Sequence, residues 1–363
     1  MRRLIGLLPL LHGLPLLAYL LFRGLLTTSV PDVVPERQWW RLYNLTSLLN
    51  EFTPFFFLPL PLWPLTALLA RTKSAVLAAA LPWALFAGVY GELFIPRPPH
   101  LAELTGPGGE GQARLRVMTF NVLAASRPAD DVIRIIKEAD PDVVVTQEAI
   151  PALAEPMQRG LDDAYPFSRI RSSNGWGAQA IWSRVPILQE ERWDGSQRNA
   201  NWQHAILDLG GRRVHLINLH LSTPSVNWRT VEDLPVPVAV GESSQLRSRE
   251  VAWLVPRLRA LTQGSDPVIV AGDFNLTDQT PEFRRLLGAG LRDAYRQAGW
   301  GFGLTFPATP RVRFFRHNFL VHTPLIGIDH VLLSSHLEAR RAVVWPESGQ
   351  SDHRPVVVDL VLK

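Results

Sequence analysis

Three apolar stretches fall within the first hundred residues, and they limit what this chain can fold into more than any other feature. Residues 4–22 form a nineteen-residue run in which His12 is the one strongly polar member. A helix needs about 20 such residues to cross the hydrocarbon core of a bilayer. Arg2 and Arg3 ahead of it look like the start of a secretory signal. The run is longer than the usual signal core, and no small-x-small cleavage site follows, so it reads as an uncleaved anchor. Residues 42–70 form a second stretch, interrupted by Asn50 and Glu51 and then by Pro54, Pro59, Pro61 and Pro64. It is either one long kinked span or an interfacial helix leading into a span that starts near Phe52. Carbonyls freed by the prolines need partners on neighbouring helices. Trp39 and Trp40 precede it, where an aromatic belt would lie. Residues 74–95 are the cleanest span, with no charge before Glu92. A helical hairpin buried in a soluble core is the alternative, and three such stretches in succession weigh against it.

Charge supports the same reading. The chain has 37 Lys+Arg and 33 Asp+Glu, a formal charge of +4. Eight basic and four acidic residues lie in positions 1–100, which leaves 29 of each sign in positions 101–363. The surplus belongs to the apolar part, so composition gives no support for a basic nucleic-acid surface. Arg2, Arg3, Arg71 and Lys73 mark one side of the membrane, and the positive-inside rule makes that side cytoplasmic. Three crossings then place everything after Arg97 outside the cytoplasm, and a different span count would invert this. We therefore expect a multi-pass cell-membrane protein with an anchor at 1–95 (spans about 4–22, 42–70 and 74–95). A Pro/Gly-rich linker at 96–113 and an extracytoplasmic domain at 114–363 follow. The absence of cysteine excludes a disulfide framework, thiolate metal sites and a cysteine nucleophile.

Beyond the linker, strand and helix patterns alternate. Residues 114–122, 142–146, 178–183, 203–209, 212–219, 268–271, 328–334 and 355–361 read as strands, with Gly210-Gly211 as a hairpin turn. Residues 130–139 and 243–262 have helical spacing. This mixture suggests a layered α/β sandwich. Polar residues able to do chemistry follow the apolar strands: Asn121, Glu148, His220, Asp273 and Asn275, with Asp352-His353 at the start of the last strand. Strand ends along one sheet edge are where sites assemble.

Six segments carry these residues: TFNV (119–122), TQE (146–148), NLHLS (218–222), GDFNLTD (272–278), IDHVLLS (328–334) and SDHRP (351–355). In this order they resemble the endonuclease/exonuclease/phosphatase superfamily, over about residues 114–363. The resemblance implies a four-layer α/β sandwich of the DNase I type, with two packed mixed sheets flanked by helices. It also implies metal-dependent phosphoester hydrolysis. By resemblance His353 is the catalytic histidine and Asp329 the carboxylate that orients it. His220 donates to a non-bridging phosphate oxygen, Asp273 binds metal or orients water, and Asn275 donates to the scissile phosphate. Glu148, Asn121 and Asp352 are the metal residues. Hydrolysis of a phosphodiester needs a Lewis acid on the phosphoryl oxygens and a stabilised leaving group. Oxygen ligands without cysteine select a hard cation, Mg²⁺ first, with Mn²⁺ or Ca²⁺ as alternatives. His330 is assigned no catalytic role.

The histidine at 220, where abasic-site endonucleases carry tyrosine, leans away from abasic-site repair. Gln179, in the NGWGAQA stretch, departs from the usual family pattern. Residues 224–242 look like an inserted loop whose Trp228, Val236, Val238 and Val240 form a lid, a membrane-facing rim or an ordinary packed surface. Residues 306–325 interleave Arg311, Arg313, Arg316 and His317 with Phe314 and Phe315, and could grip phosphates or lipid headgroups, or form an edge strand. We expect a membrane-anchored enzyme acting on a lipid-linked phosphate at the bilayer. The alternatives are an extracytoplasmic nuclease on DNA or RNA and a non-catalytic scaffold of the same fold. No protein partner is inferred.

Overall fold

The computed structural model describes residues 2–29, 46–95, 113–123, 129–171, 177–194, 202–223, 227–231, 234–239, 242–308, 311–314, 317–320 and 323–363. At 2–3, 26–29, 227–231, 234–239, 242–245, 311–314 and 317–320 the description is of the backbone alone. Trp39 and Trp40, the linker up to residue 112, and Asn174–Trp176 lie outside the described residues, as do the side chains expected to form a lid or a phosphate grip. The chain divides into two compact units, Met1–Pro96 and Arg97–Lys363.

In the first unit, helix α1 (Arg2–Ser29) packs with α2 (Trp63–Ala70) and α3 (Lys73–Tyr90). Three segments are long and apolar enough to cross a membrane: Leu4–Leu25, Thr53–Ala70 and Lys73–Phe94. The proline-rich stretch resolves into a short helix at 46–51, 3₁₀ turns at Thr53–Phe57 and Leu60–Leu62, and then α2. Of the two forms expected for it, the structure matches in shape the one with a short helical segment leading into a stretch that starts near residue 53, Thr53–Ala70, long and apolar enough to cross a membrane. Pro59 has no N–H to give the carbonyl of Phe56, three residues earlier. His12 supplies one: its Nε2 donates to Phe56 O at 2.7 Å, while its Nδ1 accepts from Trp63 Nε1 at 3.0 Å. Tyr19 donates to Asn50 Oδ1 at 2.6 Å. Polar residues in the apolar helices thus satisfy backbone and side-chain groups from within the unit. Gly6 has a packing reason, since a Cβ there would lie 2.6 Å from the Ala75 Cβ. Among the described residues, every exposed large apolar side chain except Leu188 and Trp300 belongs to this unit. Among the described residues, this exposed apolar surface thus largely coincides with the segments long and apolar enough to cross a membrane.

The second unit contains two six-stranded sheets. The first has the order β15-β16-β1-β2-β4-β3, formed by β1 (Arg114–Asn121), β2 (Val143–Gln147), β3 (Phe167–Arg171), β4 (Gln179–Ser183), β15 (Leu337–Val344) and β16 (Val356–Leu362). The second has the order β11-β14-β10-β7-β6-β5, formed by β5 (Ile187–Trp193), β6 (Trp202–Leu209), β7 (Arg212–His220), β10 (Val268–Asp273), β11 (Leu291–Asp293) and β14 (Asp329–Ser334). Backbone hairpins β8–β9 (Asn227–Val231, Leu234–Ala239) and β12–β13 (Arg311–Phe314, His317–Leu320) stand apart. The pairs β1–β2 and β7–β10 are parallel, and the remaining neighbours are antiparallel.

Alternation along the strands builds three apolar layers. Leu115, Val117, Val143, Val145, Leu216, Ile269 and Val358 meet between the sheets. Met118, Phe120 and Val144 face α4 (Ala129–Ala139) and α5 (Pro151–Leu161). Ile217, Leu219 and Val270 face α6 (Glu242–Thr262) and α7 (Pro281–Leu287). The result is helices, sheet, sheet, helices: the expected four-layer sandwich. One detail differs from expectation. Asp352 and His353 lie in the turn before β16, whose ladder with β1 opens at Val356 opposite Thr119. Pro355 has no N–H for the ladder, so the strand starts after it.

Candidate active site

Residues facing the gap between the sheets change character toward one edge. The apolar layer gives way to buried amides and hydroxyls, and then to the predicted site residues. Asn121, Gln147-Glu148, His220 and Asp273 end β1, β2, β7 and β10, and Asp329 begins β14. Asp329 pairs with Asp273 in the antiparallel ladder β10–β14, and Asp273 pairs with His220 across β7–β10. The fold therefore brings together Asn121, Glu148, His220, Asp273, Asp329 and His353.

Asp273 Oδ2 is the hub. It accepts from Asn121 Nδ2 at 3.0 Å and lies 3.6 Å from His220 Nε2 and 3.7 Å from His353 Nε2. Asn121 Nδ2 also donates to Glu148 Oε1 at 3.1 Å, and His220 Nε2 is 3.9 Å from the same oxygen. His353 Nδ1 sits 2.9 Å from Asp329 Oδ2, so the carboxylate fixes the ring's tautomer and orientation. Asn275 ties two loops together: its N donates to Asp273 Oδ1 at 2.9 Å within its own loop, and its Nδ2, expected to donate to phosphate, donates to Leu221 O after β7 at 2.8 Å.

Local backbone conformation shapes this cluster. Glu148 and Asn275 have φ of +60° and +49°. Such values are uncommon outside glycine, and they turn each chain sharply as it leaves its strand. Gly272 has φ +156°, and a Cβ there would lie 2.0 Å from Leu219 O, so only glycine lets β10 approach β7 at the site.

The electrostatics are one-sided. Glu148, Asp273, Asp329 and Asp352 face two imidazoles. Burial pushes the Asp329 and Asp352 carboxyls up, against the opposing pull of His353. Burial alone would push the His353 imidazolium down, but Asp329, Asp273 and Asp352 outweigh it and hold its pKa well above the usual range. Asp352 Oδ1 and Asp329 Oδ1 are buried and have no hydrogen-bond partner among the described residues. An excess of buried carboxylate, with acceptor oxygens left over, suits a hard divalent cation. Glu148, with Asp352 and Asp273, offers the oxygens for it. Asn121 Oδ1 accepts from Leu123 N at 3.0 Å, so its amide serves the carboxylates as a donor and its oxygen would reach a cation only after a half-turn. Asp273, Asp329 and His353 are also close enough together to hold an ion. In that trio, however, His353 Nδ1 already engages Asp329, which makes the pair an orienting dyad first.

Several neighbours have no role assigned from sequence. Thr305 Oγ1 accepts from the backbone N of Ile328 at 3.1 Å and of Asp329 at 3.4 Å. The Phe306 ring lies 4.9 Å from the His353 ring. Ser351 Oγ donates to Asn121 O at 2.7 Å and accepts from His353 N at 3.1 Å. From α6, buried Arg247 donates to Asn275 O, and Glu250 accepts from Ser222 N and Oγ at 2.9 and 2.7 Å. These two are three apart on one helix face, the one pattern that could have exposed them. His330 donates to or accepts from no site residue in the described contacts. Its Nε2 meets Leu276 O at 2.9 Å and its ring packs on Phe274 and Phe283.

A sequence model of the Endonuclease/Exonuclease/phosphatase family matches residues 118–353. No curated protein sequence matches the chain. An endonuclease/exonuclease/phosphatase family protein from Bacteroides thetaiotaomicron superposes with a TM-score of 0.51 at 17% identity, over 70% of this chain and 99% of its own. A mannosyl-6-phosphatase from the same species gives 0.51 at 18%, over 68% and 100%. Truncated Caenorhabditis elegans TDP2 gives 0.50 at 18%, over 69% and 98%. At these identities the likeness is one of fold.

Proposed function

The chain belongs to the endonuclease/exonuclease/phosphatase family, and from that premise we propose that it is a membrane-anchored, divalent-cation-dependent phosphoester hydrolase. The observation that carries this reading is the convergence on Asp273 Oδ2 of Asn121, His220 and His353, all within 3.7 Å. Two imidazoles and an amide around a carboxylate, with a second carboxylate on Glu148, supply what in-line displacement at phosphorus requires. There are donors for the non-bridging oxygens, a group to hold the attacking water, and a seat for a cation.

When bound, Mg²⁺ polarises the phosphoryl oxygens and offsets charge on the leaving group. Glu148 would hold it together with Asp352, and Asn121 Nδ2 would orient the Glu148 carboxylate as donor. Asp273 accepts a proton of the attacking water and aims its lone pair. His353, kept charged by Asp329, donates to an oxygen on which negative charge develops in the transition state. His220 donates to a non-bridging oxygen, and Asn275, with Arg247 behind its carbonyl, fixes the loop beneath the substrate.

We place the substrate among lipid-linked phosphates. A charge-balanced catalytic unit on three apolar helices is kept at a bilayer, where such a head group is presented, and the positive-inside pattern puts the unit on the extracytoplasmic face. A neighbour named as a mannosyl-6-phosphatase fits a phosphomonoester. A nuclease on DNA or RNA is the second reading, since a domain of net zero charge can still bind nucleic acid through a local basic patch. The test uses full-length protein in detergent on polyprenyl pyrophosphate, sphingomyelin-type lipid and plasmid DNA, with Mg²⁺ or EDTA. Mg²⁺-dependent turnover of lipid phosphate, lost in His353→Ala, is expected. Cleavage of plasmid alone would move the assignment to the nuclease. No turnover of any substrate by folded protein would leave a scaffold. A cytoplasmic signal from a C-terminal reporter would overturn the orientation.

A further inference from the structure

One layer below the site residues, the gap between the sheets is filled by side-chain amides rather than hydrocarbon. Thr119, Thr146, Gln147, Gln203 and Asn218 are all fully buried. Gln147 Nε2, from the first sheet, donates to Asn218 Oδ1 of the second at 2.8 Å and lies 3.3 Å from Thr119 Oγ1. Asn218 Nδ2 reaches back to Thr146 O at 3.1 Å and Ala180 O at 3.3 Å, and to Gln203 Oε1 at 3.0 Å. Gln203 Nε2 then crosses to Arg169 O at 3.0 Å.

The placement is systematic. Thr119 and Asn218 stand two residues before Asn121 and His220, and Gln147 stands directly before Glu148. Gln179, the departure noted from sequence, is also buried here, opposite Gln147 across β2–β4.

Apolar contacts between sheets are non-directional and tolerate small slips, whereas hydrogen bonds have preferred lengths and angles. The site itself is divided between the sheets. Asn121 and Glu148 come from the first, His220, Asp273 and Asp329 from the second, and His353 from the turn entering the first. Its chemistry depends on a spacing that the apolar core alone fixes loosely.

We propose that Gln147, Asn218 and Gln203 are positioning residues: a buried amide layer that sets the separation and register of the two sheets, and so holds Glu148 and His353 at working distance from Asp273. This rests on the hydrolase reading above. Residues that only stabilise the core would act on folding. Residues that position the site act on turnover in a protein that is still folded. Replacing every partner of a buried hydrogen bond by apolar groups of similar shape can be nearly neutral for stability, which separates the two roles.

The test compares full-length wild type, Asn218→Leu, and the triple variant Gln147→Met/Asn218→Leu/Gln203→Leu. It reads thermal midpoint, kcat and KM on bis(p-nitrophenyl) phosphate with Mg²⁺, and Mn²⁺ affinity by electron paramagnetic resonance. Asn218→Leu strands Gln147 Nε2 and Gln203 Oε1 and lowers the midpoint. The triple variant recovers the midpoint while kcat stays down by about ten- to a hundred-fold, the range expected for displacements of order 1 Å. Its KM stays near wild type and its Mn²⁺ dissociation constant rises several-fold. Recovery of kcat and Mn²⁺ affinity together with the midpoint would reduce the layer to a structural core and overturn the proposal. Should the triple variant not fold, Gln203→Met removes one cross-sheet bond and is read in the same way: a lower kcat at an unchanged midpoint supports the proposal, and an unchanged kcat overturns it. A wild type that binds Mn²⁺ but turns over nothing defeats the hydrolase reading instead, and Mn²⁺ affinity then still reads the spacing.

Discussion

Asp329→Asn tests the centre of the mechanism with the smallest change of shape. The carboxylate sits fully buried 2.9 Å from His353 Nδ1. A hydrogen bond to a charged group contributes about 1.5–3 kcal/mol. If that interaction is fully expressed in the transition state, its loss lowers kcat by roughly 10- to 150-fold. Asparagine fills the same space, and its N–H still meets Thr305 Oγ1, so the fold should survive. Burial also raises the Asp329 pKa, a sign that desolvating this carboxylate is costly, and the neutral amide removes that cost. The pH profile supplies a second reading. His353 has its pKa raised, to about 10, by carboxylates that outweigh its burial. A group that must be protonated loses activity as pH rises through its pKa. Removing Asp329 lowers that pKa, so the alkaline limb of kcat moves to lower pH. The assay is kcat on bis(p-nitrophenyl) phosphate from pH 5 to 10 at saturating Mg²⁺, with thermal midpoints as control. A kcat within about threefold of wild type, with the alkaline limb unmoved, would refute the orienting role of Asp329 and the charged state of His353.

Glu148→Gln keeps the bond from Asn121 Nδ2 (3.1 Å) but removes the charge that would hold the cation. The Mg²⁺ needed for half-maximal activity should rise by about tenfold or more, and an unchanged requirement in a Mg²⁺ titration would place the cation elsewhere. Gly272→Ala drives a Cβ to 2.0 Å from Leu219 O. It should cost about 3 kcal/mol or more, a melting-point loss of roughly 6–12 °C, and a normal midpoint would show that β10 can draw away from β7. His215 has its pKa lowered, by burial first and by nearby His204 second. The unfolded chain then binds that proton more readily, so stability present above about pH 6.5 is lost as pH falls below it. The midpoint should drop between pH 7 and pH 5, and drop less in His215→Gln. Equal losses in both proteins would remove His215 from the account.

Most of the candidate site was legible because it lies where strong signals stop. Apolar runs such as Val143–Val145 and Val268–Ala271 can only be buried strands, and the first polar residues after them mark a sheet edge. The edge strands β3, β5 and β15 escaped detection. Their patterns are half exposed and charged, as in ILQEERW and LEARRAVV, and β5 and β15 each carry a register shift. A strand with one neighbour and one solvated face need not be apolar. The amide layer was hidden for the opposite reason. Gln203 and Asn218 sit within largely apolar strands and Gln147 ends one, so each reads from sequence as a lone polar residue or as part of a neighbour's motif. Nothing in the sequence links the three, which meet only when the two sheets pack. Thr305 and Phe306 were beyond reach, because a loop from far along the chain delivers them to Asp329 and His353.

The topology also explains why residues at both ends of strands meet. In each sheet a parallel pair, β1–β2 or β7–β10, puts two strand ends on one edge, and crossover helices α4 and α6 return the chain beneath. Those strands contribute the residues that follow them: Asn121, Glu148, His220 and Asp273. Their antiparallel neighbours β14 and β16 run the other way, so only what precedes or opens them can reach the same edge. Asp329 opens β14 and His353 precedes β16. The carboxylates proposed to direct water and to seat the cation, Asp273 and Glu148, therefore come from parallel strands, while Asp329 and His353 come from antiparallel ones. The dyad spans the gap, with Asp329 on the second sheet and His353 at the entrance to the first. Any slip between the sheets changes the 2.9 Å contact of the dyad and the 3.0 Å contact of Asn121 with Asp273 together. Positioning and catalysis are thus tied to one mechanical variable, the register of the two sheets.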